Sequence, residues 1–159
     1  MIYWFFGYPG IGKDYCAKKL SLIKEFPYID ADDFLTEEDR DKLLDKSFTI
    51  EDRLLKLERI ITHIRSLQKH HESIAVADSL PDNASRNLVK NSFSEKIKLI
   101  LVTAPDEIHK KRIAKRKNHF FTAELLDDYI KKHWKKINVP YVEFENIASE
   151  WEERLKKLL

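Results

Sequence analysis

Eight residues near the start of the chain, Gly7-Tyr8-Pro9-Gly10-Ile11-Gly12-Lys13-Asp14, carry the clearest chemistry. They follow the apolar run Met1 to Phe6 and precede a helical pattern, which is the strand, glycine-rich loop, helix context of a phosphate-binding loop. All 3 glycines of the 159-residue chain lie in this loop. Glycine allows the backbone to curl so that several amide N–H groups and the positive end of the next helix meet one polyphosphate. Lys13 adds a point charge for the β- and γ-phosphates, and the spacing assigns nucleotide contacts to Gly7, Pro9, Gly10, Ile11, Gly12, Lys13, Asp14 and Tyr15. Asp14 stands where a Ser or Thr hydroxyl commonly ligates Mg²⁺; its carboxylate is itself a hard ligand for that ion.

A second group lies at Asp30-Ala31-Asp32-Asp33, after a short strand. One carboxylate there can take the proton of a hydroxyl attacking a γ-phosphate, and another can hold the water shell of Mg²⁺. Asp32 is the first candidate for the base and Asp33 the second; the competing reading is an acidic turn that caps the next helix. Asp78 ends another apolar strand and suits a metal carboxylate, or a turn before Pro81. Asp14, Asp32 and Asp78 are thus the candidate metal residues. Arg86, about two turns into the following helix, is a candidate for substrate or phosphate. From Lys110 to Phe121 the chain is dense in Lys and Arg, with Arg112 and Arg116 on one helix face. Such a segment, about 110–125, reads as a lid whose arginines neutralise charge during phosphoryl transfer, or as an exposed basic helix. His119 is a candidate contact within it. Cys16 reads as a buried, inert helix residue, and Trp134 and Trp151 as packing residues.

These groups need positioning elements. Strands are expected at 2–7, 28–30, 74–77, 97–102 and 141–144, and helices at 12–24, 83–92, 106–117 and 148–159, with another starting at 120. The stretch 36–71 reads as helical with a break near 47–49. Alternating strands and helices imply a parallel sheet covered on both faces, with ligands beyond the carboxyl ends of the strands. The length suits one domain, 1–159. With 29 basic and 27 acidic residues, the net charge of +2 gives no global field for nucleic acid. A single Cys and a single Met exclude a disulfide framework and fit a reducing cytoplasm. No signal peptide or membrane span is expected.

Together these segments resemble the small P-loop kinases of the gluconokinase and shikimate-kinase type, most closely gluconokinase. Asp30-Ala31-Asp32 is similar to that family's Asp-x-Asp after the second strand. The segment Phe48 to Leu55, with Arg53, is similar to its substrate-pocket segment. Ser79-Leu80 with Arg86 resembles its Ser-Ala-Leu and downstream arginine, and Arg112, Arg116, His119 and Phe120 resemble its lid signature. The resemblance implies a three-layer α/β fold with a five-stranded parallel sheet, order 2-3-1-4-5, and a helical lid. It implies ATP and Mg²⁺ as cofactors and phosphorylation of a hydroxyl on a small molecule, with Lys13, Asp32, Arg112 and Arg116 catalytic. Asp30, Asp32, Asp33, Arg53, Ser79, Arg86 and His119 would meet the substrate. It also allows a homodimer. The chain departs from the family at Asp14, at Phe34-Leu35 where a histidine is expected, and at Tyr129 where a glutamine is expected. Asp32-Asp33-Phe34, with Asp78-Ser79-Leu80 and Arg86, also resembles the kinase part of polynucleotide kinases, which makes a nucleoside or nucleic-acid 5′-hydroxyl the alternative acceptor. A module that keeps the fold without catalysis is a third reading.

Overall fold

In the computed structural model, which describes residues 1–116, 122–147 and 150–158, β1 (Ile2–Phe6) lies at the centre of the sheet. It pairs in parallel with β3 (Ile74–Ala77) on one side and β4 (Ile97–Thr103) on the other. The outer strands are β2 (Tyr28–Asp30), beside β3, and β5 (Val142–Glu145), beside β4, which completes the order 2-3-1-4-5. Every residue of β1 is buried, as a central parallel strand with helices on both faces requires.

The pleat of β1 divides the core. Ile2, Trp4 and Phe6 pack with Leu57, Ile60 and Ile64 of α3 (Ile50–Leu67) and with Val89 and Phe93 of α4 (Asn83–Phe93). Tyr3 and Phe5 pack on the other face with Cys16, Ala17 and Leu20 of α1 (Lys13–Lys24) and with Trp151 and Leu155 of α7 (Trp151–Lys156). The period-2 alternation of the strand thus joins two helical layers through one sheet. The break expected near 47–49 separates α2 (Glu37–Leu44) from α3; Thr36 and Thr49 each start their helix with a reciprocal capping box. Residues 31–34, within the acidic segment singled out from sequence, form a 3₁₀ turn. The helix α5 (Asp106–Ala114) ends three residues before the expected position, and α6 (Ala123–His133) follows. No described helix is long and apolar enough to cross a membrane.

Candidate active site

The carboxyl ends of β1, β2 and β3 open on one cavity of about 480 Å³. At its floor the backbone leaves β1 through Gly7, whose φ is 153°; a Cβ there would stand 2.7 Å from the Val102 carbonyl oxygen, so the tight passage excludes a side chain. Gly12, at φ 94°, starts α1 without any side-chain cap. A Cβ on it would collide with the Asn146 amide.

The outer side of the loop is held by side chains. His109 Nε2 lies 2.7 Å from the Pro9 carbonyl oxygen. Arg112 and Asn146 donate to the Ile11 carbonyl at 2.9 and 3.1 Å. Asn146 is fixed in turn, because its Oδ1 accepts from Trp151 Nε1 at 2.8 Å and its carbonyl accepts from Arg112 at 2.8 Å. A trans peptide points its N–H opposite its C=O. Holding the Pro9 and Ile11 carbonyls outward therefore turns the Gly10 and Gly12 amides the other way, beside the uncapped first turn of α1. Lys13 lines the cavity with its ammonium 3.6 Å from Asp14.

Among the described residues, four cations and four carboxylates share this space: Lys13, Arg53, Lys56 and Arg116, with Asp14, Asp30, Asp32 and Asp78. Asp30 accepts the Asp32 N–H at 3.0 Å and so caps the 3₁₀ turn that presents Asp32. The Asp32 carbonyl accepts from Arg40 at 3.3 Å, which leaves its carboxylate clear of that contact. Asp78 is buried. Its Oδ1 accepts from Lys56 Nζ at 2.9 Å and from the Ser79 N–H at 2.8 Å, while its Oδ2 has no hydrogen-bond partner among the described residues. Arg53 pairs with buried Asp82 at 2.7 Å and lies over the Phe48 ring. Asp82 also accepts the Ser85 N–H at the start of α4, so one carboxylate fixes both a helix end and a cavity wall. Ser79 and Tyr129 also line it.

Burial holds the Asp30 carboxyl above its ordinary value of 3.8; the Asp32 N–H opposes this, and the nearby charges of Asp14, Asp32 and Asp33 add to it. A carboxyl that binds its proton more tightly folded than unfolded contributes its stability below 3.8 and loses it as pH rises through the folded value. At pH 7 the ionised Asp30 therefore opposes folding. Asp30→Asn, which retains a capping oxygen, is expected to raise the thermal midpoint at pH 7, with the gain disappearing as pH falls below 3.8. Calorimetry at both pH values checks this; a lower midpoint at pH 7 would contradict it.

Several sequence candidates lie outside the cavity. Arg86 is fully buried: it donates to the carbonyls of Leu80, Pro81 and Lys135 and to Asn83 Oδ1, with its guanidinium over Trp134. Its donors hold the Leu80 backbone at φ 44°, an uncommon geometry for a branched residue, next to Asp78-Ser79. It thus shapes the cavity wall from behind and meets no substrate space. Arg112 faces the outside of the loop. Asp33 is exposed and does not line the cavity, and the Tyr15 side chain is exposed against Trp151. His119 and Phe120 lie outside the described residues. Cys16 is buried, its thiol pushed up to about 12 by burial, and it is chemically inert.

Lys56, Asn146 and His109 were not singled out from the sequence. Lys56 had a readable signal, being one helical turn from Arg53 on the otherwise apolar inner face of α3. Asn146 and His109 had none, because the loop carbonyls they hold are 135 and 100 residues distant in sequence.

Among the described residues no three His, Cys, Asp or Glu side chains gather into a metal cage. Mg²⁺ in phosphate sites needs only one or two carboxylates besides water and phosphate. The orphaned Asp78 Oδ2, with Asp14 and Asp32 in the same cavity, fits that requirement.

No protein-family model and no curated protein matches the sequence. Among solved structures, a gluconokinase from Sinorhizobium meliloti superposes with a TM-score of 0.77 at 19% identity, over 99% of this chain and 88% of that one. A sugar kinase from Janibacter gives 0.80 at 19%, over 99% and 91%. A shikimate kinase from Aquifex aeolicus gives 0.59 at 16%, over 99% and 93%. The fold is that of the small P-loop kinases.

Proposed function

We propose that this chain is an ATP-dependent phosphotransferase acting on a hydroxyl group of a small molecule. The observation that carries the reading is the convergence on one cavity of an uncapped helix start, Lys13, and the Asp32 and Asp78 carboxylates. Fold alone would not carry it, because one fold serves many activities.

The loop amides and Lys13 bind the polyphosphate. Bound there, ATP with Mg²⁺ supplies the transferable phosphoryl group; Asp14, Asp32 and Asp78 are the residues that would hold the metal. Asp32 orients the acceptor hydroxyl and takes its proton as the new P–O bond forms and the bond from the γ-phosphorus to the bridging oxygen breaks, releasing ADP. Arg53, Ser79 and Asp30 hold the acceptor against the wall. Arg116, on the basic segment after α5, closes over the cavity and excludes water. Arg112 keeps the loop amides aimed, so it acts on the nucleotide through the backbone.

The test is a panel of sugar acids, nucleosides and oligonucleotides incubated with ATP, with and without Mg²⁺. Transfer to a small-molecule hydroxyl that stops on chelation of the metal is expected. Transfer to no acceptor, or to oligonucleotides alone, would overturn the reading.

A further inference from the structure

A groove of about 500 Å³ adjoins the acidic cavity and shares Leu43, Phe48, Arg53 and Tyr129 with it. Leu44 and Leu125 extend it away from Asp30, Asp32 and Asp78, and Lys46, Asp128, Lys132 and His133 also line it. Leu44 is 63% exposed and Leu125 37%. The anchoring of α2 explains the uncovered carbon. Its one buried residue is Asp39, paired with Arg59 at 2.5 Å, and Lys42 is tied to Asp52 at 2.7 Å. A helix fastened by ion pairs through a buried carboxylate does not use its leucines for its own packing. Here those leucines face α6 across an open groove that ends at the proposed transfer site. Apolar side chains gathered from separate elements beside a few convergent polar groups form the usual lining of a small-molecule site.

We infer that the acceptor is an alcohol joined to a flat ring without hydroxyls, its own hydroxyl at Asp32 and its ring in the groove against Phe48, Leu44 and Leu125. The inference rests on the phosphotransferase reading above. A linear polyhydroxy acid would bring hydroxyls against leucine side chains that cannot replace their water, which is unfavourable. A ring brings none to that wall, and Phe48 offers it an aromatic face. Arg53, at the junction and paired with Asp82, sets the polar end of the groove next to the acidic cavity.

The experiment compares adenosine, thymidine and phenyl β-glucoside with gluconate as acceptors for the full chain. Binding of each to protein saturated with a non-hydrolysable ATP analogue is measured by calorimetry, independently of turnover. Ring-bearing alcohols are expected to bind and to exceed gluconate in kcat/KM by about tenfold or more, and Leu44→Glu and Leu125→Glu to raise their KM by a similar factor. Both sites are on exposed helix positions, so the variants are expected to fold, and their ATP affinity is read separately. Preference for gluconate, KM values unmoved by either substitution, or no ring compound binding would overturn the inference. So would loss of a dimer in sedimentation without a change in acceptor KM, which would make the groove a contact between copies of this chain. Absence of ATP binding would instead remove the phosphotransferase reading, whereas ATP-dependent transfer to gluconate alone would leave that reading standing and remove only the ring.

Discussion

Replacing Lys13 by alanine is expected to lower kcat/KM for phosphoryl transfer by about 10²–10³-fold, the usual loss when one preorganised charge-stabilising group is removed. The ammonium lies in the cavity beside the uncapped start of α1, with Asp14 at 3.6 Å as its ion-pair partner. Without it, the negative charge on the transferring group faces Asp14, Asp32 and Asp78 with one fewer cation. The loop should survive the change. Its carbonyls are held by His109, Arg112 and Asn146, none of which touches the Lys13 side chain in that arrangement. Steady-state kinetics and a thermal melt of the same preparation separate the two effects. Transfer at the parental rate in a folded Lys13→Ala protein would refute the assignment of this loop to the polyphosphate.

Asp32→Asn is expected to reduce kcat by about 10²–10⁴-fold, the range for loss of a general base. The substitution preserves shape and leaves both the Asp32 N–H to Asp30 and the Asp32 carbonyl to Arg40 in place, so the 3₁₀ turn is retained. What it removes is the capacity to accept a proton. Single-turnover measurements at saturating ATP and acceptor isolate that step. A near-normal rate would move the base to Asp30, the other carboxylate of this turn that lines the cavity, whose raised proton affinity would suit it to the task.

The sheet order and the loop were legible because they depend on local pattern. Five short apolar runs, each followed by a helical period, allow few arrangements, and three glycines confined to one turn mark its backbone. The acidic residues at the ends of β2 and β3 were legible for the same reason. The places of Arg86 and Arg112 were not legible, because a basic residue near a phosphate site is read by its charge, whereas its position is decided by which carbonyls need donors. Arg86 answers three main-chain carbonyls, one of them 49 residues away in sequence, and no local pattern encodes that. Lys56 was legible as an exception to the apolar inner face of α3, but its partner was not: only the fold brings Asp78 to 2.9 Å from it.

The brace behind the loop also bears on rates. Because His109, Arg112 and Asn146 fix the curl as part of the folded state, the ordering entropy is lost on folding and not at encounter with nucleotide. Capture of the nucleotide proposed above should then proceed in one kinetic phase proportional to concentration.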